Sequence, residues 1–297
     1  MTSLWGGVLN VLRGFLIGLA EIVPGVSGGT IALIVGVYQT LISSAASIVR
    51  LALSGFRRTG ADSRGAQEGI SWPVVIPVAL GMVAGIFGGA ALLEPLLDEY
   101  PVYARAVFAG LILASLWVPL RMVGSSWTPA LGVGAAGVAG ATFVAMGLPA
   151  LGAGVDSLLW VAPAAAVAVC ALVLPGVSGS YLLVTLGMYQ PTLEAVNTRD
   201  FAYLGVFVLG AIVGLAAFVR VLQWLLASHT ALTLTIMTGL MLGSLRALWP
   251  WQGEDRTLLA PADDVAVVVG CALAGVLAVV VLIIAQAALA RRHTPSA

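Results

Sequence analysis

The sequence has no lysine, two histidines, two cysteines and few charges of either sign. Only 9% of its 297 residues are charged, against roughly 25% in soluble globular domains. With 60% hydrophobic residues and a mean hydropathy of +1.07, a soluble fold is excluded. Thirteen basic residues balance thirteen acidic ones, so nucleic acid finds no basic footprint to bind. Without lysine there is no Walker motif and no direct ATP drive. Gly25-Val26-Ser27-Gly28-Gly29 fits the G-x-S-x-G pattern of a hydrolase elbow. That elbow needs a preceding strand and a His–acid pair, whereas here an apolar helix precedes it and only His229 and His293 exist. Gly132 to Gly137 match G-x-G-x-x-G but lie in an apolar segment with no βαβ context. Cys170 and Cys271 fall in apolar runs and read as small buried hydrophobes, not as a disulfide or metal pair. No basic residue precedes the first apolar run, and Arg13 interrupts it, so no cleavable leader is expected. No metal site or cofactor is expected either.

Long apolar runs are what the sequence does have, for example Val74–Leu93, Leu204–Val219 and Val265–Ala290. About 20 apolar residues cross the hydrocarbon core as a helix, and the ten-residue alternation of an outer-membrane barrel is absent. The expected fold is all-α: a polytopic membrane bundle.

The runs repeat. Pro24-Gly25-Val26-Ser27-Gly28-Gly29 recurs as Pro175-Gly176-Val177-Ser178-Gly179-Ser180, and at the same offset Gly36, Tyr38 and Gln39 meet Gly187, Tyr189 and Gln190. Further on, Gly81 and Gly85 match Gly210 and Gly214, and the stretch from Gly110 to Leu116 matches that from Gly239 to Leu245. The chain therefore divides into two related halves, 1–150 and 151–297. Each half holds five apolar segments. The first has Leu4–Val23, Thr30–Val49, Val74–Leu97, Tyr103–Val123 and Pro129–Leu151. The second has Leu158–Leu174, Tyr181–Val196, Phe201–Leu226, Thr230–Trp249 and Val265–Leu289. Five is odd, so the second half enters the membrane inverted, as in many secondary transporters.

Arginine positions orient the chain. With the N-terminus inside, Arg50, Arg57, Arg58, Arg64, Arg121, Arg220, Arg291 and Arg292 are cytoplasmic. The opposite face receives Asp98, Glu99, Asp156, Glu254, Asp255, Asp263 and Asp264, with Arg105, Arg199, Arg246 and Arg256. Both termini are thus expected in the cytoplasm.

Pro24 and Pro175 forbid a continuous helix through the repeated motif. Two geometries fit: a re-entrant hairpin dipping to mid-membrane, or two short full spans joined by a tight turn. Irregular backbone at that depth is tolerated only inside protein or beside a water-filled cavity. Under the hairpin reading the two tips meet near the midplane. At each tip small residues allow close approach, and a new helix start offers free N–H groups at its positive dipole end. With the Ser27 hydroxyl, Gly28, Gly29 and Thr30 make a candidate phosphate seat, and Ser178, Gly179 and Ser180 a second. The bland alternative is a packing turn with serine as helix cap.

Charges inside apolar segments cost roughly 2.5–3.5 kcal/mol on insertion scales, so each asks for a role. Glu21 lies three residues before Pro24 and has Leu172 at its repeat position. It is a candidate to carry a coupling proton or sodium ion, or to pair with Arg13 two helical turns away. Arg13, Arg220 and Arg246 are candidates to balance a phosphate, since arginine forks match its oxygens. Snorkelling to the interface is the plainer account of Arg220 and Arg246. Tyr38 and Tyr189 are ligand contacts or buried packing, and Glu94, opposite Gln223 across the repeat, reads as a polar helix contact.

Glu-Ile-Val-Pro-Gly-Val-Ser-Gly-Gly-Thr (21–30), Leu-Pro-Gly-Val-Ser-Gly-Ser (174–180) and Gly-Leu-Met-Leu-Gly-Ser-Leu-Arg-Ala-Leu-Trp-Pro-Trp (239–251) resemble the PopT family over nearly the whole chain. The resemblance implies a transporter, not an enzyme, that moves undecaprenyl phosphate or a related polyprenyl phosphate across the cytoplasmic membrane. That activity returns the carrier lipid for reuse in wall-polymer synthesis. By motif match it implicates Ser27 to Thr30, Ser178 to Ser180 and Arg246. Ser180 stands where the first copy has Gly29, so the tips need not be equivalent. Competing readings are a small-anion carrier with the same site, a membrane lipid-phosphate enzyme and a structural role.

Overall fold

A computed structural model describes residues 4–22, 27–57, 69–148, 158–253, 256–262 and 264–292. Pro24, Gly25, Val26, Arg58, Arg64, Asp156, Glu254, Asp255, Asp263 and His293 lie outside these residues, as do the side chains of Arg57, Glu94, Asp98, Arg291 and Arg292.

The described residues are helical nearly throughout. The first half gives α1 (Leu4–Ile22), α2 (Gly28–Ile34), α3 (Tyr38–Arg57), α4 (Trp72–Glu99), α5 (Pro101–Ser115), α6 (Trp117–Val123) and α7 (Pro129–Ala145). The second gives α8 (Leu158–Val173), α9 (Gly179–Thr185), α10 (Tyr189–Thr198), α11 (Phe201–Ser228), α12 (Thr230–Ser244) and α13 (Val265–Arg292). The helix starts follow from their caps. Thr128 accepts from Leu131 N–H ahead of Pro129, and Asp200 accepts from Ala202 and Tyr203 N–H to open α11, each meeting donors that have no partner inside the helix.

Both proline motifs lead into short broken helices. In the second copy α8 ends at Val173, the chain turns at Pro175, and Gly176 takes φ +85°. That conformation suits glycine, and no side chain would fit, because a Cβ on Gly176 would lie 2.5 Å from the Met241 backbone. The expected second segment of each half is not one helix. Gly36 (φ 75°) and Gly187 (φ 71°) end the seven-residue α2 and α9 as left-handed glycine stops, and α2 is bent 118° from α3.

Glycines set the helix pairs. α1 packs on α4 and α8 on α11, each within its half. Gly81 faces Val11 O and Gly210 faces Ala162 O, where a Cβ would sit 2.0 and 2.3 Å from the carbonyl oxygen. The backbones are in contact, as small residues permit in membrane bundles. Gly14 faces Val78 and Gly18 faces Met82, while Gly210 faces Ala162 and Gly214 faces Ala166, so both pairs run parallel. The other two large pairs cross the halves: α5 with α13, and α7 with α12. Gly239 and Gly243 face Ala135 and Ala139, so α7 and α12 are also parallel. The halves interlock, and the bundle is one body.

Among the described residues, five helices are long and apolar enough to cross a membrane, over Trp72–Gly89, Pro101–Ser126, Phe201–Ser228, Thr230–Leu248 and Val265–Ala285; the bent α2–α3 pair is a sixth candidate. Large apolar side chains cover the outside, with Leu159, Phe201 and Phe87 each more than 70% exposed, as a lipid-facing surface requires. Inside, Ile17, Leu33, Val35, Tyr38, Val78, Leu222 and Met237 form the main core. On α12 the buried hydroxyls of Thr233, Thr238 and Ser244 bond back to their own helix or its cap, Thr238 to Leu234 O at 2.8 Å, which satisfies them without water; Thr235 Oγ1 is buried without a partner. This is a multi-pass helical membrane protein.

Candidate functional site

The end of α8 leaves carbonyls without helical partners, because Pro175 has no N–H to give. The first half supplies the donors. Ser27 Oγ lies 2.9 Å from Leu174 O and 3.3 Å from Leu172 O. Tyr38 donates its hydroxyl to Val173 O at 3.2 Å. In return Gly176 N–H donates to Thr30 Oγ1 at 2.9 Å. Ser27, Thr30 and Tyr38 are all buried. Gly29 allows the approach, since a Cβ there would lie 2.6 Å from Val173 O. The two tips are therefore in direct contact, bolted together by side chains of the first.

The first helix start is not an empty seat. Ser27 caps it, accepting from Gly29 N–H at 3.2 Å, and Thr30 N–H donates to Ser27 O at 2.9 Å. Gly28 N–H donates to Glu21 Oε1 at 3.0 Å. A Cβ on Gly28 would lie 2.1 Å from that oxygen, so glycine is what lets the carboxylate in. An acceptor is favourable at the positive end of the helix dipole, and the Glu21 carboxyl occupies this helix start. Arg13 does not reach it. Arg13 donates to Asn10 Oδ1 at 2.9 Å, and Asn10 Nδ2 donates to Pro73 O at 3.3 Å, tying α1 to the start of α4.

The second tip differs. Leu172 replaces Glu21, and Ser178 Oγ accepts from Tyr181 N–H at 3.4 Å and lies 3.0 Å from Ser180 Oγ. Among the described residues, the N–H groups of Gly179 and Ser180 have no partner. Tyr189, the counterpart of Tyr38, is exposed.

Beside this tip stands Arg246, on a 3-10 turn (Leu245–Leu248) that follows α12. Its guanidinium lies over the Phe143 ring, 4.7 Å from the centroid. Its Nε is buried without a hydrogen-bond partner. Gly147 leaves it room, since a Cβ there would lie 2.2 Å from a terminal nitrogen. The neighbouring Ala247 packs, as Tyr181 does, against the cluster of Met146, Ala171 and Val177. Arg256 sits nearby, over the Tyr181 ring at 4.6 Å from its centroid. One of its terminal nitrogens donates to the Tyr181 hydroxyl at 3.0 Å, to Leu148 O at 3.3 Å and to Thr185 Oγ1 at 3.4 Å. Tyr181 in turn donates to Met146 O. Sequence reasoning set Arg256 among loop charges and did not single out Tyr181. The latter's place in the first turn after the Ser-Gly-Ser tip was the available signal.

Arg220 is exposed on α11, two turns before its end, and among the described residues no contact joins it to either tip. The His229 ring lies 5.1 Å from that of Trp224, tilted by 58°. Arg105 donates to Pro250 O at 3.4 Å.

The family described as undecaprenyl phosphate translocase-like matches residues 17–267. A polyprenyl-phosphate transporter of Vibrio cholerae serotype O1 is 38% identical over 254 residues, covering 81% of this chain and 77% of that protein. A polyprenyl-phosphate transporter of Staphylococcus aureus is 27% identical over 261 residues, covering 82% and 86%. No solved structure matches the chain.

Proposed function

The chain belongs to the undecaprenyl phosphate translocase-like family, and from that premise we propose that it carries undecaprenyl phosphate or a related polyprenyl phosphate across the cytoplasmic membrane. The observation that carries this reading is Arg246. Its Nε is buried and unpartnered, and among the described residues the arginine has no acidic partner, beside the junction of two broken helices. Keeping such a charge within an apolar bundle is costly, and a phosphate monoester arriving as ligand offsets that cost. The polyprenyl tail stays in lipid while the head group enters.

The open N–H groups of Gly179 and Ser180, with the Ser178 and Ser180 hydroxyls, are the nearest further donors. Ser27, Gly28, Gly29 and Thr30 act differently in this reading: they hold the tips together and carry Glu21. Glu21 is the coupling group. When its carboxylate takes a proton or a sodium ion, its bond to Gly28 N–H weakens and the grip of the first tip on the second loosens. Arg13 and Arg220 stand apart from the head group, one bracing α1 and the other snorkelling.

Parallel packing supports inverted halves, 1–150 and 151–297. Successive spans alternate in direction, so α4 and α7, two spans apart, point the same way. α12 lies parallel to α7, and α11, the span before α12, then points opposite to its counterpart α4. Rocking of the interlocked halves gives alternating access. Arginine bias puts both termini in the cytoplasm and Arg246 on the outer side. That placement favours capture from the outer leaflet and return to the inner one for carrier-lipid recycling. Hydrolysis is disfavoured, because the Ser27 hydroxyl is spent on carbonyl oxygens.

The test is lipid transfer in proteoliposomes. Arg246→Ala abolishes polyprenyl-phosphate movement while the protein stays folded, and Arg220→Gln keeps most of the rate. A wild-type rate in Arg246→Ala overturns the site, and uptake of inorganic phosphate without lipid transfer favours a small-anion carrier.

A further inference from the structure

We infer that Arg256 is a second phosphate ligand, and that the Arg246–Arg256 pair selects phosphate monoesters over the phosphodiesters of bulk lipid. The inference rests on the transport reading above and goes beyond it in naming the residue and the selectivity.

The two guanidinium groups converge on one short stretch of chain. Arg246 fills the space left by Gly147, and Arg256 donates to the carbonyl of the next residue, Leu148. Their anchoring is complementary. Arg246 lies on Phe143 with its Nε buried and unpartnered. Arg256 lies on Tyr181, and its three hydrogen bonds to Leu148, Tyr181 and Thr185 all use one terminal nitrogen. Among the described residues its other terminal nitrogen and its Nε are uncommitted. An arginine fixed by stacking and one nitrogen presents the rest of its fork in a set direction. No described carboxylate pairs with either arginine; Glu254 and Asp255, beside Arg256 in the chain, are outside the described residues.

Two guanidinium cations converging on adjacent residues repel each other, and an anion between them relieves that repulsion. The charge of the anion decides how well. A phosphate monoester carries about −1.5 to −2 at neutral pH and has three free oxygens, enough for two forks. A phosphodiester carries one charge and two free oxygens, and leaves one arginine unmatched. Tyr181 is a positioning residue: its hydroxyl accepts from Arg256 and its ring supports the guanidinium. It also stands in the first turn of α9, next to the Ser178–Ser180 tip.

The experiment is equilibrium binding to the purified full chain in detergent. The probes are farnesyl phosphate and farnesol, with phosphatidylglycerol as competitor. The wild type is expected to bind farnesyl phosphate well above farnesol and to resist the competitor. Arg256→Gln is expected to weaken farnesyl phosphate about tenfold to a hundredfold, as loss of a charge-assisted bond implies, with farnesol unchanged and resistance to phosphatidylglycerol reduced. Arg256→Lys keeps the charge without the fork and falls between. Tyr181→Phe shifts phosphate binding in the same direction by less, again sparing farnesol. Gly147→Ala, which drives a methyl group into the Arg246 guanidinium, mimics loss of Arg246. If Arg256→Gln or Arg256→Lys melts like wild type and binds farnesyl phosphate like wild type, the inference is overturned and the transport reading stands. If the wild type itself does not prefer the phosphate over the alcohol, both fall.

Discussion

Replacing Thr30 with valine isolates the contact between the tips. The side chains are nearly isosteric, and Thr30 is 1% exposed, so packing changes little and the hydroxyl is lost. Gly176 N–H, now donating to Thr30 Oγ1 at 2.9 Å, is left buried without an acceptor. An orphaned buried donor costs about 1–3 kcal/mol, more than the 0.5–1.5 kcal/mol net value of an average hydrogen bond. Water does not rescue it easily, because Gly176 is buried against Met241. Thr233→Val is the matched control. Thr233 is also buried, but its hydroxyl bonds to His229 O at 2.9 Å, a carbonyl that already accepts from Thr233 N–H. Its loss orphans nothing and is close to neutral. Reversible unfolding in detergent compares the two, with lipid transfer measured on the same preparations. Thr30→Val is expected to be less stable by about 1–3 kcal/mol and slower in transfer. Equal stability of the two variants would refute the claim that the first tip supplies the second tip's missing acceptor.

Gly28→Ala places a methyl group 2.1 Å from Glu21 Oε1 and expels the carboxylate from the start of α2. Transfer is expected to fall and its dependence on a proton or sodium gradient to disappear. Glu21→Gln keeps an acceptor for Gly28 N–H, so it should lose the gradient dependence with less damage to folding. Gly110→Ala puts a methyl group 1.9 Å from Ala272 O between α5 and α13. It is expected to destabilise by about 1–3 kcal/mol through overpacking. Gly132→Ala, with nothing within 4 Å, should be neutral or more stable by up to about 1 kcal/mol from helix propensity. Thermal melting separates these two, and matching effects would undo the helix register described above.

The helical segments were legible because apolar runs of span length admit few other structures in lipid; Phe201–Ser228 and Thr230–Ser244 lie within two to five residues of the ranges read from hydropathy. The break inside the second segment of each half was missed, although Gly36 and Gly187 stood at matching repeat positions. A glycine in an apolar helix reads equally as close packing or as a stop, and only its φ separates the two. Glu21 was singled out for its charge inside an apolar segment, with Arg13 as a candidate partner; its oxygen instead accepts from Gly28 N–H, while Arg13 donates to Asn10. Its acceptor role depends on where the chain returns after residues 23–26, which spacing along α1 does not reveal.

Sequence alone determined the class of solvent, the repeated proline motif and the interruption it imposes, because burial in lipid and the missing proline N–H act locally, residue by residue. Tertiary structure decided that the tips meet, that the halves exchange helix partners, that Glu21 already fills the first helix start, and that Arg246 and Arg256 converge on Gly147 and Leu148. These depend on which orphaned donors and acceptors are brought together across more than a hundred residues of chain, and hydrogen-bond satisfaction of that kind is a property of the packed bundle.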